Sequence, residues 1–544
     1  MIDSNLKFDS EARDRLIAGV DKLARAVMIT LGPMGKTVAI CRPGEAPRIT
    51  KDGVSVANSI QLEDPYENIG ASLVREAAQR SAEVAGDGTT SSTVLAHAII
   101  KQGQKLIAAG HPQNEVVNGF RLASEAVKLE IEKTKVPVSE DSSLEDVATI
   151  SANGEAEVGS LIAKAIKAVG VDGAVSVQEA KGYETKLVIV DGTYIDKGYE
   201  SPYFVTNAGN QSCELDDPYI LVINDSVSSV HSILPALEKI ARSGSSLLII
   251  CNEIGGEAMQ ALVLNRVKGN LKICAIKAPE FASARTTMMQ DFVSMCGGEV
   301  VVNSDEKIPP EQLDAVFGRA KKIVVTKTAT IVYGTKPNQT HEERLKSVKE
   351  VLADPGASES DKAFAERRLR RLSNGIAVIQ VGGATEGEMR ERKDRVDDAL
   401  HAAKAAMREG IQPGGGVALA RAGHKAKKKL LSSHGKSFVS DSSVGVAASA
   451  FLQAMESPLR QIAVNCGQSP DLVIEKALKM PQTSGYNGKT NQFGDMFQLR
   501  IVDPHLVVLS SIEHATSVAC NLLSVGCVVL EDSIDQNFQI HNSL

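Results

Sequence analysis

The sequence contains no tryptophan, and aromatic residues make up only 4% of its 544 residues. Proteins that bind single-stranded nucleic acids commonly stack the bases on aromatic rings, so this scarcity and a formal net charge of −7 argue against nucleic acid as a partner. No uninterrupted apolar run approaches 18 residues, and the N-terminal MIDSNLKFDSEARDR lacks the apolar segment of a signal peptide. We therefore expect a cytoplasmic protein that does not bind a membrane.

Two common types of site are also missing. The eight cysteines are scattered without a C-x-x-C pair, which predicts free thiols rather than disulfides or a zinc site. Three segments end like a phosphate-binding P-loop: Gly35-Lys36-Thr37, Gly435-Lys436-Ser437 and Gly488-Lys489-Thr490. Each of them lacks the first glycine of G-x-x-x-x-G-K-[ST], so none predicts a P-loop ATPase or kinase.

The overall composition is that of a large globular protein, with 43% hydrophobic and 23% charged residues. Its first 135 residues and residues 411–530 are rich in alanine and have helical periodicity. Between about residues 190 and 330, short apolar runs such as YILVIND alternate with helical patterns at 231–242 and 256–268, which is typical of an α/β fold. An α/β segment between two helical halves indicates a helical domain that is discontinuous in sequence.

The five residues Gly86-Asp87-Gly88-Thr89-Thr90 lie between two predicted helices, 64–85 and Thr89 to Gly110. A glycine-rich turn that opens a helix presents backbone N–H groups and the positive end of the helix dipole to an anion. Asp87 would repel a bare phosphate, but both groups can share a Mg²⁺ ion. The motif alone therefore leaves two interpretations open, a magnesium–phosphate site and a turn whose threonines only cap a helix.

Four other clusters are equally ambiguous by themselves. Thr30-Leu31-Gly32-Pro33 is either a phosphate-binding turn or an ordinary one, and Lys51-Asp52-Gly53 is a charged turn that a solvated hairpin would explain. Gly414-Gly415-Gly416 gives a backbone that can lie flat against a ligand or act as a hinge. Asp398 falls within a predicted helix, where a surface carboxylate is the simpler explanation and acid–base chemistry the alternative.

The predicted α/β region contains two helices with apolar faces. Leu234 and Leu237 share one face, and Met259, Val263 and Leu264 share another. Packing in the core explains such faces in most proteins. If they point outward, however, they form a groove for apolar segments of another chain.

The chain resembles group I chaperonins of the GroEL type from near its N-terminus to about residue 525. The strings that carry the resemblance are TLGPMGKTV, ITKDGVSVA, AGDGTTSSTVLA, TISAN, GYESPYF, LLIICNEIGGEA, VDDALHAAKAAMREGIQPGGGVAL, SPLRQIAVNCG and GYNGKT. The resemblance implies a multidomain α and α/β fold with three domains. They are a helical, ATP-binding equatorial domain (1–136 and 411–544), an intermediate hinge domain (137–190 and 376–410) and an α/β apical domain that binds polypeptides (191–375).

The resemblance also implies functional residues. An ATP pocket would be lined by Thr30, Leu31, Gly32, Pro33, Lys51, Asp87, Gly88, Thr89, Thr90, Ser91, Gly414, Gly415, Tyr486, Asn487, Gly488 and Asp503. Asp87 would bind Mg²⁺, the carbonyl of Thr30 would bind K⁺, and Asp52 and Asp398 would activate the attacking water. Non-native polypeptides, and later a GroES-type co-chaperonin, would bind Tyr199, Tyr203, Phe204, Leu234, Leu237, Met259, Val263 and Leu264. The subunit would form homo-oligomeric rings of seven members, with ring–ring stacking left open.

Several positions differ from the family pattern. Met34 replaces a basic residue, Gly488-Lys489 replaces a small apolar pair, and Arg500 replaces a glycine, all near the expected ATP pocket. Lys197 replaces the arginine expected to pair with Glu386 between subunits, and no Gly-Met repeats occur at the C-terminus. The leading hypothesis is an ATP-dependent chaperone subunit. The alternative is a non-cycling holdase, or a specialised binding paralogue, with weakened ring assembly and ATPase activity.

Overall fold

The computed structural model of the protein describes residues 6–530 apart from 42–46, 139–140, 153, 171–174, 181, 191, 208–210, 270, 281, 303–307, 355, 357 and 374. The chain forms two compact units, one made of Met1–Ala163 with Gly383–Leu544 and the other of Lys164–Gly382. An inserted unit between two halves of another confirms the discontinuous organisation inferred from the composition. The side chain of Glu386 and the C-terminal residues 531–544, which entered the predictions above, lie outside the described part.

Helices dominate both ends of the described chain, and most strands lie in its middle. In chain order the helices of the described part are α1 (Asp9–Met28), α2 (Gly53–Ser59), α3 (Pro65–Ala85), α4 (Thr89–Ala108), α5 (Gln113–Glu132), α6 (Asp141–Ser151), α7 (Ala156–Val169), α8 (Leu234–Ser243), α9 (Gly256–Val267), α10 (Ala282–Cys296), α11 (Leu313–Val316), α12 (Thr340–Ala353), α13 (Glu359–Ser373), α14 (Glu386–Glu409), α15 (Val417–Asp441), α16 (Ser443–Ala454), α17 (Ser457–Asn465), α18 (Pro470–Lys479) and α19 (His505–Leu523).

The strands are mostly short. They are β1 (Leu6–Phe8), β2 (Val38–Ile40), β3 (Arg48–Thr50), β4 (Val175–Glu179), β5 (Lys186–Val190), β6 (Gly192–Ile195), β7 (Cys213–Asp216), β8 (Tyr219–Val227), β9 (Ser246–Ile254), β10 (Lys272–Lys277), β11 (Val300–Val301), β12 (Gly318–Arg319), β13 (Lys322–Val325), β14 (Thr330–Tyr333), β15 (Ile376–Val381), β16 (Ile411–Pro413), β17 (Ser484–Asn487), β18 (Gln492–Asp495), β19 (Val502–Pro504) and β20 (Cys527–Val529).

The first unit is a helical bundle around one large apolar core. Helices α1, α3, α4, α5, α16 and α19 supply this core, with side chains that recur at helical spacing, such as Leu16, Val20, Leu23 and Val27 on α1. Phe120 and Phe451 pack with ring centroids 5.5 Å apart. Because burying each large apolar side chain contributes roughly 1.5–3 kcal/mol, this core dominates the stability of the unit.

Helix α19 is long and apolar enough to cross a bilayer by length and composition, and it is the one such helix in the described part. Of its most apolar 18-residue window, 61% is buried inside the protein. Ile512, Ala515 and Ala519 are fully buried in the core shared with α4. Its apolar character is therefore that of a core helix.

Four two-stranded sheets complete the first unit. β1 pairs with β20, β2 with β3, β16 with β19 and β17 with β18, all antiparallel. The β2–β3 hairpin ends at Thr50, directly before Lys51. The β16–β19 register sets Gln412 opposite Asp503, so the glycines after Pro413 start beside that carboxyl group.

The second unit has the α/β architecture that the sequence predicted. β10, β9, β8 and β11 form a parallel sheet in that order, and β12 adds antiparallel to β8. The runs YILVIND, SLLIICNE and LKICAIKAP coincide with β8, β9 and β10, and their side chains are buried in the core of this unit. Two further sheets, β6-β14-β13-β7 and β4-β15-β5, lie in the same unit.

The charged segment 340–373 forms a helical hairpin of α12 and α13. It is anchored by the carboxylate of Asp291, which is only 3% exposed. The Nε atoms of Arg344 and Arg368 lie 2.9 and 2.6 Å from its oxygens. Because two guanidinium groups satisfy the buried carboxylate, the charges fasten the hairpin to α10.

Candidate functional site

The joint between α3 and α4 is a two-glycine turn with Asp87 at its tip. Gly86 ends α3 with φ 76° and Gly88 precedes α4 with φ 90°, both in the left-handed region that glycine adopts without strain. A Cβ atom on Gly86 would lie 2.0 Å from the Cβ of His401, so α14 rests directly on this turn. The predicted ends of both helices are confirmed.

Hydrogen bonds fix the carboxylate of Asp87. Its Oδ1 accepts from the backbone N–H of Gly88 at 2.5 Å, and its Oδ2 accepts from the hydroxyl of Ser151 on α6 at 3.0 Å. Burial raises the pKa of Asp87, the negative charge of Asp52 raises it further, and the two hydrogen bonds oppose this shift. The ionised carboxylate therefore lies in a place where a bound cation would stabilise it.

Asp52 caps the short helix α2. The charged turn Lys51-Asp52-Gly53, which a solvated hairpin would also have explained, is thus the start of a helix. Its Oδ1 and Oδ2 accept from the N–H groups of Val54 and Ser55 at 3.0 and 2.8 Å. A Cβ atom on Gly53 would lie 2.2 Å from the hydroxyl of Thr90, so this turn touches the first turn of α4. The capping bonds hold the Asp52 carboxylate at the start of α4.

Helix α14 brings a second group of carboxylates to the same place. Burial raises the pKa of Asp398 well above its usual value, and the charges of Asp87 and Asp52 raise it further. One residue earlier, burial raises the pKa of Asp397 to about 7. The pKa of Lys51 is lowered by burial and by the positive charge of Arg395, which is also on α14. The interaction of Asp398 with Asp87 and Asp52 shows that these three side chains are neighbours.

The glycine segment and Asp503 form the remaining wall. Gly414 donates its N–H to the carbonyl of Ile501 at 2.9 Å, and a Cβ atom on Gly414 would lie 2.9 Å from Oδ1 of Asp503. Burial raises the pKa of Asp503 to about 6, the charge of Asp87 adds to this, and N–H groups of Gly415 and Gly416 oppose it. The glycine backbone thus lies against the Asp503 carboxylate. This contact tests neither interpretation of the motif, a backbone that binds a ligand or a hinge.

These segments enclose a cavity of about 610 Å³, within the roughly 300–1,000 Å³ typical of small-molecule sites. Every residue predicted for the ATP pocket and for water activation lines it except Gly414, which lies next to the lining residue Asp503. The predicted residues on its wall are Thr30, Leu31, Gly32, Pro33, Lys51, Asp52, Asp87, Gly88, Thr89, Thr90, Ser91, Asp398, Gly415, Tyr486, Asn487, Gly488 and Asp503. The structure therefore brings together residues from seven separate segments of the first unit.

The chemistry of the wall fits an anion and a cation bound together. The start of α4 offers backbone N–H groups and the hydroxyls of Thr89, Thr90 and Ser91, and Lys51 adds a positive charge. Among the described residues, no three His, Cys, Asp or Glu side chains are grouped closely enough to hold a metal ion by themselves. A divalent ion at Asp87 would need further oxygen ligands, and phosphate groups supply such oxygens.

Some wall residues were missed by the sequence analysis. Ser151, Glu391, Asp394 and Arg395 line the cavity, although none of them was predicted as a site residue, and only Ser151 lies in a quoted string, TISAN. Asp394 could have been found, since it lies four residues before Asp398 and hence on the same helix face. The bond from Ser151 to Asp87 joins residues 64 positions apart, and no local pattern predicts such a contact.

The positions that differ from the family pattern also lie at this cavity. Met34, Gly488, Lys489 and Arg500 all line it. Arg500 has φ 58°, in the left-handed region that glycine adopts freely and other residues adopt at a cost. The arginine at this position adds a guanidinium group to the wall of the cavity.

The predicted polypeptide-binding residues lie in the second unit, with mixed exposure. Tyr203 and Leu264 are 67% and 52% exposed, whereas Tyr199, Leu234, Met259 and Val263 are partly buried. Two of the predicted residues are buried in this structure: Phe204 is fully buried and Leu237 is 4% exposed, because both pack into the α/β core. Val267, which the sequence analysis did not select, is 59% exposed at the end of α9.

Comparison with known proteins identifies this arrangement. The family model described as "TCP-1/cpn60 chaperonin family" matches residues 23–533. Among solved structures, the chaperonin gp146 from the bacteriophage EL 2 (Pseudomonas aeruginosa), crystallised in the presence of ATP-BeFx, has a similar fold. Its crystal form II aligns with a TM-score of 0.72 at 22% identity, over 97% of this chain and 99% of that chain. Crystal form I aligns with a TM-score of 0.65 at the same identity and coverage.

Proposed function

The chain belongs to the TCP-1/cpn60 chaperonin family, and we propose that it is an ATP-hydrolysing chaperone subunit that captures non-native polypeptides. The observation that carries this proposal is the meeting of Asp52, Asp87 and Asp398 with the start of α4 at one cavity. Phage gp146 was crystallised with an ATP analogue, which supports a nucleotide as the ligand of the corresponding cavity here.

The nucleotide would be bound mainly through its phosphates. The N–H groups at the start of α4, the hydroxyls of Thr89 and Thr90 and the ammonium group of Lys51 would neutralise and orient them. Held by Asp87 and phosphate oxygens, Mg²⁺ would supply charge neutralisation at the transferred phosphate. The carbonyl of Thr30, which also lines the cavity, is the proposed ligand for K⁺.

The two remaining carboxylates would act on the attacking water. Asp52 is fixed by its capping bonds and would orient the water. Burial and the charges of neighbouring carboxylates raise the pKa of Asp398. Asp398 would therefore accept the proton of the water and hold it on a carboxylate oxygen. Because Asp398 lies on α14, hydrolysis would depend on the docking of this helix against the α3–α4 turn.

The second unit would supply polypeptide capture. Tyr203, Leu264 and Val267 are exposed apolar side chains on one 3-10 turn and the adjoining helix α9, and apolar segments of unfolded chains bind such surfaces. We propose that this unit contains the apical domain 191–375. We also propose that seven subunits form a ring that binds a GroES-type co-chaperonin, with the stacking of one ring on another left open. The three-domain boundaries given above remain part of this proposal, as does a cytoplasmic location.

The proposal is tested on the purified full-length protein. We expect Mg-ATP hydrolysis that Asp398→Ala abolishes while calorimetric nucleotide binding is retained. A wild-type protein that binds Mg-ATP but hydrolyses it no faster than Asp398→Ala would contradict the mechanism. Native mass spectrometry with and without ATP and a GroES-type co-chaperonin tests assembly, and monomers under all conditions would favour the non-cycling holdase.

A further inference from the structure

An ion pair in the first unit joins the two segments that carry the proposed water-activating carboxylates. Nη2 of Arg48 lies 2.7 Å from Oδ2 of Asp394. Arg48 begins β3, four residues before Asp52, and Asp394 lies on α14, four residues before Asp398. Since residues four apart share a helix face, the ion pair lies one helical turn from Asp398.

The electrostatic surroundings make this pair more than a surface contact. Asp394 adds to a group of carboxylates that includes Asp52, Asp87 and Asp398, and its charge raises the pKa of Asp398. Burial raises the pKa of Asp394, and the charge of Asp52 adds to this rise, whereas the charge of Arg48 opposes it. The positive charge of Arg48 therefore offsets the repulsion between Asp394 on α14 and Asp52 at the start of α2. Without Arg48, nothing in this ion pair opposes that repulsion.

The guanidinium group of Arg48 is also held from a second side. The same Nη2 atom donates to the hydroxyl of Ser55 on α2 at 3.3 Å. The side chains of Arg48 and Asp394 are 37% and 39% exposed, so the pair is only partly screened by solvent. This bond network links β3, α2 and α14 at the wall of the cavity.

A second ion pair holds the helix that packs beside α14. Arg500, in its left-handed conformation, places Nη1 3.5 Å from Oδ1 of Asp146 on α6. Helices α6 and α14 pack against each other, and α6 also carries Ser151, the partner of Asp87. The two helices are thus tied to the cavity at two separate points.

We propose that Arg48–Asp394 and Arg500–Asp146 form a clasp that keeps α6 and α14 docked on the cavity, so that Arg48 and Asp394 are positioning residues for Asp398. This inference rests on the proposed ATPase, but the docking itself requires no nucleotide. The clasp biases the site toward the arrangement in which Asp398 meets Asp52 and Asp87. Its loss shifts the population toward an undocked α14.

Hydrogen–deuterium exchange of the nucleotide-free, full-length protein tests the clasp directly. Arg48→Ala is expected to speed the exchange of the amides in 386–409 by about twofold to fivefold, because a partly exposed ion pair contributes only modestly to the docking of a helix. Asp394→Asn is expected to have a smaller effect, because it removes a repelling carboxylate together with the pair. The reversed pair, Arg48→Asp with Asp394→Arg, is expected to restore slow exchange.

Single-turnover hydrolysis at saturating ATP gives the second readout. Arg48→Ala is expected to lower the rate by about twofold to fivefold with the Kd for ATP unchanged within twofold, and adding Asp146→Asn is expected to lower it further. The matched control is Arg80→Ala, which breaks an exposed pair with Glu76 inside α3 and should change neither readout.

The outcomes separate the two proposals. Wild-type exchange and hydrolysis in Arg48→Ala, or a reversed pair as impaired as the single variant, overturns the clasp. A wild-type protein that does not hydrolyse ATP overturns the proposed function, and the exchange experiment still decides whether the clasp exists.

Discussion

Replacing Gly86 by alanine should slow ATP hydrolysis strongly, because the added methyl group displaces α14. The thermal stability of the protein should change little. The added Cβ would lie 2.0 Å from Cβ and 2.8 Å from Cγ of His401. Unbonded carbon atoms need about 3.5–4.0 Å, so α14 and the α3–α4 turn must separate by roughly 1.5–2 Å. Asp398 lies one turn before His401 on α14 and must move with it.

Two effects of the substitution can be separated. Alanine at φ 76° costs about 1 kcal/mol of folding free energy by itself, because of the left-handed backbone. The displacement of Asp398 acts on catalysis instead, where a misplacement of about 1 Å can cost roughly 100-fold in rate. We therefore expect kcat to fall about 100-fold or more while the thermal midpoint falls by only a few degrees.

Gly110→Ala is the matched control. Gly110 has φ 96°, and nothing lies within 4 Å of the position of its Cβ. This variant should show the same small loss of thermal stability with a normal rate of hydrolysis. Steady-state ATPase assays, calorimetric ATP binding and thermal unfolding of both variants make the comparison.

A compensating change tests the contact itself. In Gly86→Ala with His401→Gly, the nearest remaining atom is the Cα of residue 401 at 3.1 Å, a tight distance that small shifts relieve. Part of the activity should return. A Gly86→Ala enzyme that hydrolyses ATP at the wild-type rate would refute the inference that α14 must rest on this turn.

Three further predictions concern separate parts of the chain. Folding raises the pKa of Asp397 from 3.8 to about 7. Because the folded protein binds this proton more tightly than the unfolded chain does, its stability should fall as the pH rises across that range. The thermal midpoint of nucleotide-free Asp397→Asn should therefore change less with pH than that of the wild type, and equal slopes would contradict this. Tyr203→Ser should weaken capture of an unfolded polypeptide without changing the thermal midpoint, whereas Phe204→Ala should cost about 3–5 kcal/mol because it empties a core position; the reverse pattern would contradict the assigned exposures. Lys51→Met should raise the Kd for ATP about tenfold, as loss of a charge-assisted phosphate bond does, and an unchanged Kd in calorimetry would exclude that contact.

Local structure around the site was predictable from the sequence because short-range rules determine it. Asp64 caps α3, Gly86 ends it, and Thr89 begins α4 after Gly88, each at the residue that capping preferences indicate. The buried runs of the α/β unit were recognisable for the same reason, since continuous apolar segments of strand length fit a parallel sheet. The sequence alone could not choose between a ligand site and a capped turn.

The meeting of the segments required more than local rules. Asp52, Asp87, Asp398 and Asp503 are far apart in sequence, and only the resemblance to chaperonins predicted that they share a cavity. Exposure was also unpredictable from periodicity, because a helix face looks the same in sequence whether it contacts core or solvent. Leu237 on α8 shows this, since it was predicted for the surface and is buried.

The position of α14 connects these observations. Three contacts made by different chemistry converge on it or on its partner helix: the close packing of His401 on Gly86, the bond from Ser151 to Asp87, and the ion pair between Arg48 and Asp394. Burial is the main cause of the raised pKa values of Asp398 and Asp87, and the charges of neighbouring carboxylates raise them further. These contacts therefore hold α14 against both desolvation and charge repulsion. A cation bound at Asp87 would weaken this repulsion, and binding of Mg-nucleotide would therefore favour the docked helix that hydrolysis requires.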